Sequence, residues 1–303
     1  MYRSILILFT SLAFATLSHA QTTDEEAPQP AFPETEIFLF DYDAASPDDA
    51  LSEGRNVTNR PGYDNQPFFT KESETFLYSR DDGQQTDVWE YTIGTDTHTQ
   101  ITATDKSEFS PTPSTDNQSI WMVFERNRSI WHLDRDSADA PSWLLETAGV
   151  DEPVGYFAYN DKTGDVLFWS RYGFNVALTH ADKQGYHFIS GHAVPATPYV
   201  IPGTDHFSFV HRQTNEQVWI KAFDPETKAV RPLTPIVGSN ANYAWTPDGS
   251  ILQIEDAKVY KWREDSDGWA KIADLKALGL KSANRIAVSP DNKRVAIVGL
   301  PLE

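Results

Sequence analysis

The sequence predicts an all-β fold: a six-bladed β-propeller of four-stranded blades, with the last blade closed by strands from both chain ends. Two observations predict it. The first is a recurring stretch. Residues 245–256 (WTPDGSILQIED) lie over 69–80 (FTKESETFLYSR) without a gap, a shift of 176 residues or four repeats of 44. Residues 288–299 (VSPDNKRVAIVG) and 201–212 (IPGTDHFSFVHR) fit the same frame, and 108–126 and 153–171 fit it with short insertions in the turn. A period in the forties is that of a propeller blade. The second is composition. Aromatic residues make up 13% of the chain and suit strands. Cysteine is absent, so stability must come from packing rather than disulfides.

Each repeat resolves into strands A to D. Strand A ends at Phe69, Pro113, Trp245 or Val288, and turns such as Pro247-Asp248-Gly249 and Pro290-Asp291-Asn292 follow it. Strand B is expected at 76–79, 120–124, 166–169, 207–210, 251–254 and 295–298. Strand C is expected at 88–93, 130–133, 176–179, 218–223 and 259–262, and strand D at 97–102, 143–147, 186–190, 230–234 and 269–273. The sixth unit stops after its strand B. Residues 36–41 (EIFLFD) supply its strand C and 55–58 its strand D, which pairs edges that would otherwise be open. Trp89, Trp131 and Trp219 are expected at one strand-C position, packing blade against blade.

Upstream of the propeller, expected over 34–303, the chain carries a targeting segment. Arg3, the apolar run 5–17 and the small residues ending at Ala20 make 1–20 a signal peptide, with Gln21 as the mature N-terminus. The apolar run is too short for a comfortable membrane span. Residues 21–33 form a flexible, Glu- and Pro-rich leader. The expected location is periplasmic or secreted. The formal net charge of −19 disfavours nucleic acid and anionic membrane as partners, because binding either requires Lys and Arg to neutralise phosphates. The expected partner is a protein or envelope component, with the chain itself a monomer. Without cysteine there is no Cys-type zinc site and no lipid attachment just after the signal. No cofactor is expected.

At WTPDG (245–249), VSPDN (288–292) and EFSPTPS (108–114) the chain resembles the TolB-type propeller family, over nearly all of the expected mature chain. The resemblance implies a six-bladed propeller, export, and a role in protein or ligand binding. TolB proteins place an α/β domain before the propeller. The short leader cannot supply one, so a Tol–Pal role is not carried over. Related propellers accompany the hydrolase domain of prolyl oligopeptidases, but no G-x-S-x-G occurs here.

Propeller topology suggests where chemistry collects. The D-to-A links and B-to-C turns emerge on one face, and the A-to-B turns on the other. Strand B ends in Ser79-Arg80, Glu125-Arg126, Ser170-Arg171 and His211-Arg212, so four blades are expected to deliver an arginine to the first face. In the last two blades the corresponding residues are Asp256 and Gly299. The links add Asp64, Asn65, Glu108, Asp151, Glu152, Asn242 and Asn284 near the channel. Arginine beside carboxylates either fastens neighbouring blades through bidentate pairs or presents donors to a ligand. The candidate binding set is therefore Arg80, Arg126, Arg171, Arg212, Asn65, Glu108, Glu152, Asp256 and Asn284. The leading reading is a non-catalytic binding propeller using this face. The alternative is a metal-dependent lactonase or hydrolase, in which Glu108, Glu152, Asn65, Asn284 and Asp256 offer oxygens of the kind calcium takes. No H-E-x-x-H argues for zinc.

Overall fold

A computed structural model describes residues 32–52, 54–125, 129–136, 141–143 and 152–302. The expected signal peptide, nearly all of the leader, Arg126, Asp151 and most of the second blade's strand D lie outside the described residues.

Six four-stranded antiparallel sheets form the ring, and the described residues contain no helix. The chain opens with β1 (Glu36–Asp41) and β2 (Arg55–Asn56). Blade one is β3 (Asp64–Phe69), β4 (Thr75–Asp81), β5 (Thr86–Thr92) and β6 (Thr97–Gln100). Blade two is β7 (Glu108–Pro113), β8 (Ser119–Phe124), β9 (Ser129–Asp134) and β10 (Ser142–Trp143). Blade three is β11 (Val154–Asn160), β12 (Asp165–Ser170), β13 (Asn175–His180) and β14 (Lys183–Ser190). Blade four is β15 (Tyr199–Val200), β16 (Phe207–Arg212), β17 (Val218–Phe223) and β18 (Val230–Pro235). Blade five is β19 (Tyr243–Trp245), β20 (Ile251–Glu255), β21 (Lys258–Trp262) and β22 (Ala270–Asp274). Blade six joins β23 (Leu280–Val288) and β24 (Arg294–Pro301) to β1 and β2, in the order β2-β1-β24-β23.

Closure follows from strand alternation. β1 pairs with β24 from Glu36↔Gly299 to Asp41↔Arg294. Successive side chains point to opposite faces, so Ile37 and Leu39 join Phe76 and Tyr78 of blade one, while Phe38 and Phe40 join Leu252 and Ile254 of blade five. One six-residue strand thereby seals two inter-blade cores.

The recurring turn has a physical cause. Its first hydroxyl donates to its aspartate: Ser114 to Asp116 at 2.6 Å, Thr246 to Asp248 at 2.5 Å and Ser289 to Asp291 at 2.6 Å. The carboxylate also accepts the N–H two residues on, from Gln118, Ser250 and Lys293. The residue between takes positive φ, and Ser73, Asn117, Gly249 and Asn292 all do so. That requirement favours Gly and Asn at this position. Neighbouring turns are tied together: Asp161 accepts from Thr115 N and Oγ1 at 2.7 and 2.8 Å, and Ser73 Oγ accepts from Asp291 N at 3.0 Å.

Two expectations about register are corrected. Tyr78↔Trp89 and Met122↔Trp131 are equivalent pairs, but Trp219 lies opposite His211, and Lys221 opposite Phe209 takes the tryptophan's place in blade four. The described strand-B arginines, Arg80, Arg171 and Arg212, are not at one position either. Strand B enters its core at Phe76, Ile120, Val166 and Phe207. In that register Arg80 corresponds to Phe124, Ser170 and His211, so Arg171 and Arg212 fall one residue further along.

Deleting Glu36–Asp41 should abolish cooperative unfolding, because it opens the edge of β24 and uncovers apolar surface on two blades. A melting curve like that of the intact chain would show that the ring closes another way.

Candidate functional site

The A strands line the channel, and the structure brings one cation to its axis. Arg285 on β23 donates to Thr197 Oγ1 at 3.3 Å, and its guanidinium carbon lies 5.5 Å from the centroid of the Tyr156 ring. Tyr156 belongs to blade three and Arg285 to blade six. These blades are opposite in a ring of six, so their contact is central. Tyr63 and Tyr199 face the same guanidinium. Burial raises the pKa of the Tyr63 hydroxyl and pushes that of Tyr199 up to about 12, and in both cases the nearby Arg285 charge acts in the opposite direction. These hydroxyls are therefore neutral donors and acceptors. No carboxylate among the described residues forms an ion pair with Arg285.

The two channel mouths differ. On the face of the D-to-A links, the segment ahead of β1 narrows the entrance. Phe32 packs on Tyr63 and Phe109 at ring-centroid distances of 4.9 and 5.6 Å. Thr35 bridges Tyr63 and accepts from Asn65 Nδ2 at 3.4 Å. On the A-to-B face lies a cavity of about 380 Å³, walled by Phe68, Trp121, Phe157, Tyr159 and Tyr199, and lined also by Lys71, Asp161 and Lys162. Tyr199 belongs both to this wall and to the surroundings of Arg285, and so stands between the cavity and the channel cation. Concave, aromatic-walled space with few polar groups is the ordinary form of a ligand pocket.

The candidate residues on the other face do not converge. Arg80 stacks on Trp89, with its guanidinium carbon 4.2 Å from the ring centroid. Arg171 is exposed in a B-to-C turn, and Arg212 is exposed at the end of β16, where its guanidinium donates to the Asn215 carbonyl at 3.5 Å. Glu152 accepts from Ser170 Oγ at 2.8 Å and Tyr186 Oη at 3.5 Å. Asp256 pairs with Lys258 and Lys276 at 3.1 and 3.3 Å. Asn284 is exposed, and its carbonyl accepts from Asn240 Nδ2 at 2.8 Å. Asp64 is gripped by Arg60 at 3.0 Å, and Asn242 donates to Asn240 at 3.2 Å. The five residues considered for a cation are thus engaged separately, and no group of three His, Cys, Asp or Glu among the described residues could hold a metal ion.

Glu108 has a different role. It is fully buried, accepts from Thr102 Oγ1 at 2.9 Å and from Thr104 Oγ1, and meets the buried carboxyl of Asp87. Asp87 accepts from Gln85 and Gln100, each at 2.9 Å. Burial, reinforced by Asp87, pushes the Glu108 pKa up to about 7. The pair joins blades one and two by sharing a proton.

No protein-family model matches the sequence, and no curated protein matches it. Solved structures do match in fold. TolB from Acinetobacter baumannii superposes with a TM-score of 0.55 at 14% identity, over 88% of this chain and 65% of that one. A structure from Agrobacterium tumefaciens assigned as TolB gives 0.68 at 13% identity, over 89% of this chain and 99% of that one. The fold is that of the TolB-type propellers. The chain spans about two thirds of the length of the Acinetobacter TolB. An oligogalacturonate lyase in complex with manganese also matches, with a TM-score of 0.54 at 12% identity, over 82% of this chain and 80% of that one. At these identities the likeness concerns architecture.

Arg285 is not among the residues the repeat frame singles out, although its neighbour Asn284 is. The available signal was a pair of basic residues, Lys281 and Arg285, on an innermost strand.

The Glu108 pKa raised to about 7 from an ordinary 4.5 sets a sign. The folded state holds the proton that the unfolded chain releases, so this stabilisation is complete below about pH 4.5 and is lost as pH rises through about 7. The melting temperature should fall across that window, and Glu108→Gln, whose amide can donate to Asp87, should flatten the fall. An undiminished slope in the variant would contradict the shared proton.

Proposed function

We propose that this TolB-type propeller is an exported, non-catalytic binding module that grips an acidic segment of a protein or envelope component in its channel. The observation that carries the reading is Arg285, a channel cation without a carboxylate partner among the described residues, beside the Tyr199 wall of an aromatic-lined cavity. A cation withdrawn from water and left unpaired is unfavourable. An incoming carboxylate offsets that cost through a bidentate, charge-assisted contact. The aromatic wall suits the apolar part of the same segment.

The net charge of −19 repels anions at long range. In salt this repulsion is screened beyond about 8 Å, whereas the guanidinium acts at contact distance. The charge therefore disfavours diffuse anionic surfaces while leaving a local, shape-limited anion site available. The signal-like residues 1–20 support export, and no helix among the described residues is long and apolar enough to cross a membrane.

Arg285→Met should leave stability within about 1 kcal/mol, since no buried carboxylate is stranded, and should strongly reduce partner capture from envelope extract. Arg171→Ala, on the other face, should capture like the native protein. Undiminished capture by a folded Arg285→Met variant would refute the channel reading.

A further inference from the structure

A second cationic site lies in the seam between blades three and four. On the side of β16 and β17 facing blade three, Phe207, Phe209 and His211 stand opposite Phe223, Lys221 and Trp219. At one end this row is apolar: Phe207, Phe209 and Phe223 pack with Trp169, Leu178 and Ala193. Toward the B-to-C turns it becomes polar. Lys221 stands where blades one and two place Trp89 and Trp131.

Three nitrogen-bearing side chains collect there without protein partners among the described residues. No acceptor or carboxylate among the described residues pairs with the Lys221 ammonium, and burial lowers its pKa. His211 Nδ1 and Trp219 Nε1 are buried atoms with no hydrogen-bond partner. These two residues are directly opposite across the strands, which puts their Cβ atoms about 5 Å apart, with Lys221 on the adjacent diagonal. His192 approaches from blade three, where its carbonyl accepts from Arg212 N at 2.9 Å. Burial, Lys221 and His192 together depress the His211 pKa. Phe174, 54% exposed and edge-on to Trp169 at 5.7 Å, forms an apolar lip.

Buried donors are almost always satisfied. An ammonium, an indole N–H and an imidazole on one side of one sheet, with no protein carboxylate between them, match the oxygens of an anion. We propose that the seam between blades three and four binds an oxyanion, a carboxylate or phosphate group, through Lys221, Trp219 and His211. The site is separate from the channel and stands whether or not Arg285 binds a partner.

The test is a titration of the ¹⁵N-labelled full chain with inorganic phosphate, and in a second arm with acetate, at constant ionic strength. The Trp219 indole signal is assigned by its loss in Trp219→Phe. It should shift saturably in at least one arm while the other indole signals stay nearly still. Saturation by phosphate alone marks a phosphate site, and saturation by acetate marks a carboxylate site. Lys221→Met should weaken the binding by about tenfold or more with its melting temperature preserved. Should that variant fail to fold, His211→Gln carries the same expectation. A linear drift shared by all the indoles in both arms, or native affinity in a folded variant, would overturn the proposal.

Discussion

The pairing of β1 with β24 is the constraint on which the rest of the molecule depends. A propeller blade buries its faces only against its neighbours, so an open ring leaves two large apolar faces exposed to water. Here the closing strand has no polar face to spare. Ile37 and Leu39 belong to one inter-blade core, and Phe38 and Phe40 to the other. The cost of withdrawing it is therefore the loss of burial on both sides. Closure also fixes the channel, because only a complete ring brings Tyr156 and Arg285 together from opposite blades. It sets the asymmetry of the two mouths as well, since the segment leading into β1 carries Phe32 across one of them.

Within that frame the charged groups divide by whether the protein completes them. Asp64 is buried but held by both oxygens by Arg60, at 3.0 Å each. Glu90 and Arg135 join blades one and two at 3.1 Å. Asp87 and Glu108 solve the same problem with a proton and amide and hydroxyl donors. Such arrangements are structural, because removing either partner strands the other. Arg285 and Lys221 differ in kind. Each is drawn into a seam or channel and has no carboxylate partner among the described residues; for Arg285 the Tyr156 ring and Thr197 Oγ1 offset the cost only with neutral groups. The repeat supplies no reason for Lys221, since blades one and two place Trp89 and Trp131 at that position. A bound anion is the simplest compensation.

The repeat, the six blades and the split closure were legible in the sequence, because the A-to-B turn imposes both a hydroxyl–aspartate bond and a positive φ at fixed spacing. The inner strands were much less legible. Strand A carries register shifts between Asn65 and Phe68, Phe109 and Thr112, Val154 and Tyr156, and Ala283 and Arg285. A bulge reverses the alternation of side chains beyond it, so period-two counting cannot tell which strand-A residue points into the channel. That is why Asn284 was singled out and Arg285 was not. The arginines at the ends of strand B misled for a related reason. Counting back from the turn gave them one position, whereas the core-facing residues Phe76, Ile120, Val166 and Phe207 show that they differ. Trp219 shares this cause: its neighbour Lys221 holds the place that sequence spacing gave to the tryptophan.

The central claim is that the closed ring presents its channel, from the A-to-B face, to a partner. A hydrogen–deuterium exchange footprint of the full chain bound to its captured partner tests this most directly. The account predicts slowed exchange at the cavity-lining segments 112–115, 157–162 and 198–204. Protection confined to the B-to-C turns at 171–174 and 212–217, with the cavity segments unchanged, would contradict it.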